Sequence, residues 1–284
     1  MERIERIPEM QMLAGKLRKD NRRIAFVPTM GSLHEGHLSL IDEARKAGNV
    51  VVVSVFVNPT QFGPGEDFDV YPRDISGDET KAAGRGADIL FHPSAREMYP
   101  GEPLTRVHVQ KITEVLCGAR RRGHFSGVAT VVTKLFNIVR PHAAVFGQKD
   151  AQQAAVIMTM VRDLNMDVEI RIVPTVREKG GLAMSSRNVL LSPEQRKHAV
   201  MLSKVLFGLR DTIRPDTEVE PLLKKAEATL SGLPGAELEY IEMRSFPGLE
   251  PVERFDRDAV IALAVRFGEV RLIDNILLKN DLDS

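Results

Sequence analysis

Ile24-Ala25-Phe26-Val27-Pro28-Thr29-Met30-Gly31-Ser32-Leu33-His34-Glu35-Gly36-His37 is the stretch on which the fold turns. Its apolar start, Ile24 to Val27, reads as a short buried strand. A glycine-containing turn follows, and from His37 to Ala47 the residues Leu38, Ile41 and Ala44 fall on one face of a helix. The same order recurs on both sides. Pro8 to Asp20 has the pattern of an amphipathic helix. Val50 to Val57 is β-branched and nearly continuous, as in a strand covered on both faces. Ile75 to Arg85 reads as a helix and Asp88 to Phe91 as a strand. Helices over Gly127–Val139 and Asp150–Leu164 flank the strand Ala143–Phe146, and Glu169–Val173 is a further strand.

This alternation predicts βαβ units and a mostly parallel sheet. The expected class is α/β, a Rossmann-like sheet with helices on both faces. In such sheets ligands lie beyond the carboxyl ends of the strands, so the residues after each strand carry the function. Past Val176 the pattern changes. Ser192-Pro193-Glu194-Gln195 is a helix start, with Ser as N-cap, Pro in the first turn and Gln able to reach back. Helices run to about Arg210 and from Glu218 to Ser231. Strands then cover Leu238–Arg244, Val260–Val265 and Arg271–Leu277. This predicts a smaller α+β domain, with a boundary at Thr175-Val176 and domains 1–175 and 176–284.

Composition narrows the partners. The 284 residues include 39 Lys and Arg against 39 Asp and Glu, with 43% hydrophobic and 27% charged, as in an ordinary globular chain. From Val176 onward Lys and Arg number 16 against 18 acids, and the rest holds 23 against 21. Neither part has the basic excess that binding a nucleic-acid backbone requires. The longest apolar stretch, Val50 to Val57, is far shorter than the roughly 20 residues of a membrane helix. Met1-Glu2-Arg3-Ile4-Glu5-Arg6 lacks the apolar core of a signal peptide. The one cysteine, Cys117, excludes an internal disulfide or a Cys-based structural zinc site. Together these predict a cytoplasmic protein with no membrane and no nucleic-acid partner.

The strand ends hold the chemistry. After the first strand, Gly31 and Gly36 allow a tight turn, and His34 and His37 are spaced to point to one side of a helix entrance. Free amides at a helix start attract anions, so two imidazoles beside them form a phosphate site. The other reading is a glycine turn with incidental surface histidines. After the second strand, Asn58-Pro59-Thr60-Gln61-Phe62-Gly63 presents amides able to both donate to and accept from a polar substrate, or is an ordinary loop. After Ala143–Phe146 comes Gly147-Gln148-Lys149-Asp150-Ala151-Gln152-Gln153. Asp150 there suits a helix N-cap. Lys149 near the positive end of a helix is unfavourable unless an anion is present. Beyond Glu169–Val173, Met184-Ser185-Ser186-Arg187-Asn188 offers hydroxyls and a guanidinium on an exposed loop, suited to a triphosphate.

These motifs carry a resemblance. His34-Glu35-Gly36-His37 resembles the HIGH-type motif of the adenylyl- and nucleotidyl-transferase superfamily. The run from Val27 to Leu40 is similar to that of the pantoate–β-alanine ligase (pantothenate synthetase) family. Asn58-Pro59-Thr60-Gln61-Phe62 resembles that family's NPxQF segment, and Asp67, Tyr71, Pro72 and Arg73 continue the match. Gly147 to Gln153 resembles FGxKDxQQ, and Met184 to Asn188 the counterpart of the KMSKS loop. Where the family has an EPDG-like turn, this chain reads Glu178-Lys179-Gly180-Gly181, which removes no phosphate ligand. The tri-arginine run Arg120–Arg122 reads as a solvated loop. The match at Gly123-His124-Phe125 makes His124 a pocket candidate. Arg271-Leu272-Ile273-Asp274-Asn275 matches too and is assigned no chemistry.

The resemblance implies ATP-dependent condensation of pantoate with β-alanine through a pantoyl adenylate. It implies catalytic roles for His34, His37, Lys149 and Arg187. ATP would meet Met30, Gly31, His34, Gly36, His37, Gly147, Lys149, Asp150, Val176, Met184, Ser185, Ser186 and Arg187. Gln61, Gln153 and Asn58 would bind pantoate or β-alanine. ATP is then a substrate, with Mg2+ held mainly by its phosphates and no protein metal site. The first domain would bind nucleotide and pantoate, the second would act as a lid, and the assembly would be a homodimer. Two other readings compete: another ligase of the superfamily with a different acid, and a non-catalytic nucleotide-binding regulator. Lys149, the two histidines and Arg187 argue against the second.

Overall fold

A computed structural model describes residues 1–66 and 68–280; Asp67, one of the matched positions, lies outside them. In chain order the elements are β1 (Glu2–Ile4), α1 (Ile7–Lys19), β2 (Ile24–Thr29), α2 (Glu35–Ala47), β3 (Val50–Val55), α3 (Ile75–Gly84), β4 (Ile89–Phe91), α4 (Ala95–Met98), α5 (Leu116–Arg120), α6 (His124–Val139), β5 (Ala143–Gly147), α7 (Ala151–Asp163) and β6 (Glu169–Val173). They continue with α8 (Pro193–Thr212), α9 (Val219–Ser231), β7 (Ala236–Ser245), β8 (Ala259–Phe267) and β9 (Val270–Leu278). Packing divides the chain into two compact units. One holds Met1–Gln110, Arg121–Gly147 and Val156–Pro174, and the other Lys111–Arg120, Gln148–Ala155 and Thr175–Ser284.

The first unit contains the expected sheet: six parallel strands in the order β1-β4-β3-β2-β5-β6. Strand period two sorts its side chains. Ala25, Val27, Val51, Val53, Leu90, Ala143 and Val145 pack with Leu38, Ile41 and Ala44 of α2. Phe26 projects to the other face, against Phe136 of α6 in an edge-to-face contact at 6.4 Å. All six residues of β3 are buried. Each valine there stabilises the fold by about 1.5–3 kcal/mol relative to exposure. The order reverses at β2: β3 and β4 lie to one side, β5 and β6 to the other. The carboxyl ends of β2 and β5 therefore flank the topological switch point, where ligands of such sheets bind.

The second unit packs α8 and α9 against the antiparallel sheet β7-β8-β9 around Leu202, Leu206, Leu230, Ile261 and Leu263. The capping box read from the sequence is present: Ser192 Oγ accepts from Gln195 N at 3.2 Å, and Ser192 N donates to Gln195 Oε1 at 2.9 Å. Strand β1 was not foreseen. Its three residues include two charges, and only Ile4 is buried. Helix α2 begins earlier than its apolar pattern, for a reason given next.

Candidate active site

The turn after β2 is held from beneath. Gly31 has φ +87°, and a Cβ there would lie 2.8 Å from Asp78 Oδ2 and 2.9 Å from Val55 Cγ1, so both backbone and space require glycine. Asp78, on α3 and 1% exposed, accepts from Ser32 N at 2.8 Å and Leu33 N at 2.6 Å. Lys81 Nζ donates to Leu33 O at 2.8 Å. His34 is the N-cap of α2: its Nδ1 accepts from Gly36 N at 3.1 Å, and His37 Nδ1 accepts from His34 N at 3.4 Å. This reciprocal cap starts α2 at Glu35. The rings lie 4.1 Å apart, tilted by 34°.

This corrects the expectation of free amides at the helix entrance. The Ser32, Leu33, His34 and Gly36 N–H groups all have internal acceptors. The two rings stand beside these amides at the same helix entrance. An Nδ1 that accepts leaves the proton of a neutral imidazole on Nε2, so each histidine has a donor there.

The turn after β3 is a short 3-10 segment, Pro59–Gln61, capped by Asn58. Asn58 is 1% exposed and differs from the cleft-facing amide expected. Its Nδ2 donates to Gln61 Oε1 at 3.1 Å and Gly127 O at 3.2 Å. Its Oδ1 accepts from Thr60 and, at 2.9 Å, from Tyr99 Oη. Burial pushes the Tyr99 phenol above its ordinary 10.0, although the Thr60 hydroxyl pulls the other way, so Tyr99 stays a donor. Gln61, also buried at 7% exposure rather than turned to the cleft as expected, in turn donates from Nε2 to Met30 Sδ at 2.9 Å. Gly127 lets α6 press against this turn, since a Cβ there would sit 2.4 Å from Thr60 O. His124 Nδ1 lies 2.7 Å from Gln61 O, and its Nε2 3.1 Å from an Arg121 nitrogen. Arg121 pairs with Glu66 and Arg120 donates to Glu239 O at 3.1 Å, so the tri-arginine run is not simply solvated. Burial raises the Glu66 pKa, but the Arg121 hydrogen bonds and charge outweigh it and hold the carboxyl below its ordinary 4.5.

In the second unit, Gln148–Asp150 form a 3-10 turn directly before α7. Lys149 Nζ is 3.9 Å from Asp150 Oδ2, a loose pair that leaves the ammonium at 23% side-chain exposure. Gln153 is half-buried, and its amide makes no hydrogen bond among the described residues. Its neighbour Gln152 faces inward, donating to Ile112 O and Val115 O at 2.8 and 2.7 Å. Val176 O accepts from Met184 N at 3.0 Å, closing the turn that contains Gly180-Gly181. Ser185 caps a 3-10 segment, Ser186–Leu190, and accepts from Arg187 N at 3.2 Å. Ser185, Ser186 and Arg187 are half-buried rather than on an exposed loop. The cause is Asn188, buried and donating to Glu178 Oε1 at 2.8 Å and Ala183 O at 3.0 Å.

The first unit thus gathers Met30, Gly31, His34, Gly36, His37, Asn58 and Gln61, and Gly147 ends β5. The second carries Lys149, Asp150, Gln153, Val176 and Met184–Arg187. Sequence reasoning missed Asp78 and Tyr99, and it singled out Asp274 and Asn275 as a family match but gave them no chemistry. Asp78 had one signal, an acid among small residues on an otherwise unremarkable helix. Asp274-Asn275 had another, two polar residues in a row inside an apolar strand. Among the described residues no group of three or more His, Cys, Asp or Glu is placed to hold a metal ion, and no helix is long and apolar enough to cross a membrane.

A parallel sheet with a switch point between β2 and β5, and a histidine-capped turn after β2, define an α/β protein of the kind that binds ligands at its strand ends. Comparison with known proteins narrows the class. The family model described as Pantoate-beta-alanine ligase matches residues 2–277. Pantothenate synthetase of Acetivibrio thermocellus is 51% identical, over 97% of this chain and 99% of its own. That of Thermotoga petrophila is 50% identical over 98% and 100%. Among solved structures, pantothenate synthetase of Thermus thermophilus superposes with a TM-score of 0.90 at 44% identity, covering 97% of this chain and 99% of that one. Pantoate-beta-alanine ligase of Francisella tularensis, complexed with beta-gamma ATP and β-alanine, gives 0.80 at 36% identity, covering 98% and 97%. The chain belongs to the pantoate–β-alanine ligase family, and it is a ligase.

Proposed function

We propose that this chain joins pantoate to β-alanine with the side chains described above. In the first half-reaction the pantoate carboxylate attacks the α-phosphorus of ATP. The P–O bond to pyrophosphate breaks, giving pantoyl adenylate. In the second, the β-alanine amine attacks the acyl carbon and AMP leaves, giving pantothenate. A carboxylate titrates at about 4 and is already ionised at neutral pH, so the first step needs no general base. Its barrier lies in alignment and in negative charge developing on phosphate oxygens.

The observation that carries the reading is the inward turn of both histidine Nδ1 atoms. It holds both rings, 4.1 Å apart, at the entrance of α2 and at the end of a switch-point strand. In this proposal they act as the HIGH-type pair and hold phosphate oxygens. Lys149 and Arg187 supply charge, and Ser185 and Ser186 hydrogen bonds. Met30, Gly31, Gly36, Gly147, Asp150, Val176 and Met184 shape the nucleotide site. Gln61 and Gln153 grip pantoate. Asn58 serves that grip by holding the Gln61 carboxamide. In this proposal Mg2+ is carried mainly by the nucleotide's own phosphates, and no step is routed through it. The enzyme is placed in the cytoplasm, as a homodimer.

The test is exchange of labelled pyrophosphate into ATP across a panel of hydroxy acids, followed by product analysis with β-alanine. Pantoate alone should support exchange, and pantothenate and AMP should then form in equal amounts. Exchange supported by another acid in preference to pantoate would move the chain to a different ligase reaction.

A further inference from the structure

In β9 the residues Val270, Leu272, Ile276 and Leu278 are buried on one face, and Arg271, Ile273 and Leu277 are half-exposed on the other. Asp274 falls on the buried face and Asn275 on the half-exposed one, yet both are buried, at 3% and 2% exposure. Two polar side chains so enclosed need partners, and the partners are the two turns of this unit that carry candidate phosphate ligands. Asn275 Nδ2 donates to Gln148 O at 3.0 Å and to Lys149 O at 2.8 Å. Its Oδ1 accepts from Gln148 Nε2 at 3.3 Å. Asp274 takes both guanidinium nitrogens of Arg177, at 2.7 and 2.9 Å, and accepts from Asn275 N at 2.8 Å. Arg177 also donates to Gly181 O at 3.0 Å and stacks on Phe207 at 4.8 Å. Adjacent residues on one strand thus clamp the turn bearing Lys149 and the turn leading to Ser185-Ser186-Arg187.

We propose that Asn275 is a positioning residue for adenylate formation: by holding the carbonyls of Gln148 and Lys149 it fixes the backbone from which the Lys149 ammonium reaches the triphosphate, with Asp274 setting the Arg177 turn beside it. The inference rests on the phosphate-binding role given to Lys149 above. A lysine side chain has many rotamers, so the backbone beneath it must be fixed if its charge is to be preorganised. Asn275 matches this need, because both of its amide hydrogens go to that one turn.

The experiment is a double-mutant cycle on pantoate-dependent pyrophosphate exchange, using Asn275→Ala, Lys149→Ala and the pair, with melting curves for each. Asn275→Asp, which keeps the shape and removes the donors, serves as a second variant if the alanine form does not fold. The expected result is a loss of about tenfold or more for Asn275→Ala in folded protein. In the Lys149→Ala background the same change should cost less than about twofold, because residues acting as one unit are non-additive. Equal losses in both backgrounds, or a folded single variant with wild-type exchange, would overturn the proposal. Wild-type exchange by Lys149→Ala itself would overturn the phosphate role of Lys149, and this inference with it.

Discussion

The turn after β2 and the turn after β5 end neighbouring strands of one sheet, and both carry cationic or donor side chains, but they are braced in opposite senses. At the first, a buried carboxylate and two imidazoles accept from backbone N–H groups: Asp78 takes Ser32 and Leu33, and the histidines take Gly36 and His34. At the second, a buried carboxamide donates to backbone carbonyls, those of Gln148 and Lys149. In the proposed reading the first turn would meet an anion with its rings rather than its amides, because the Ser32, Leu33, His34 and Gly36 N–H groups have internal acceptors. The second would meet one with an ammonium whose backbone is tied to Asn275 by two hydrogen bonds. One turn orders its imidazoles by capping a helix with them, and the other holds the backbone at the root of a flexible lysine.

Lys149→Ala should have the largest effect. Removing a preorganised donor from developing phosphate charge lowers the rate about 100- to 1000-fold. Pantoate-dependent pyrophosphate exchange should fall accordingly while the melting curve stays put; near-wild-type exchange breaks the comparison at its second arm.

Asp78→Ala comes next, and it acts on stability first. The buried Leu33 N–H and the half-buried Ser32 N–H lose their acceptor, at about 1–3 kcal/mol for a fully buried group left unsatisfied and less for a half-buried one. Chemical denaturation should show a loss of about 2–4 kcal/mol. A loss within experimental error of zero would mean that the turn does not depend on this carboxylate.

Gln61→Ala should raise the KM for pantoate by about tenfold, the effect of about 1.4 kcal/mol of lost binding, and change that for ATP much less. Equal changes in both would remove Gln61 from the substrate grip.

His34 separates capping from chemistry. His34→Ala should lower stability by about 1 kcal/mol through the lost cap. His34→Asn restores a cap acceptor and should recover the melting temperature but not the exchange rate. Recovery of both would reduce His34 to a helix cap.

The smallest effect concerns acid stability. Glu66 has its pKa held below 4.5 by Arg121, against its burial. The pair therefore stabilises the fold fully above pH 4.5, and the contribution is lost as pH falls through the lowered folded value. Glu66→Gln should lower stability at neutral pH and flatten this acid limb. An acid limb unchanged in slope would show that another carboxylate governs it.

Most of the sheet was legible because buried parallel strands read as β-branched runs and their covering helices as amphipathic ones. Val50–Val55 needed only that pattern. β1 and the short helices α4 and α5 did not, since a strand or helix of a few residues has no period to read. Among candidate site residues, strand ends pointed to His34, His37, Gln61 and Lys149, because glycines and chain reversals mark where a backbone can meet a ligand. What stayed hidden was the bracing. Asp78 acts across 45 residues of chain and Asn275 across 126, and no local rule connects such partners. The same blindness made Asn58 look like a cleft-facing amide, when its four neighbours in space enclose it.

The central claim is that the two imidazoles and the Lys149 ammonium receive the phosphate tail of ATP, and a crystal structure with bound nucleotide and pantoate tests it most directly. Phosphate oxygens should lie within hydrogen-bond reach of His34 Nε2, His37 Nε2 and Lys149 Nζ, with both Nδ1 atoms still capping α2. A triphosphate bound away from these three groups, or imidazoles turned to offer Nδ1 instead, would contradict the account.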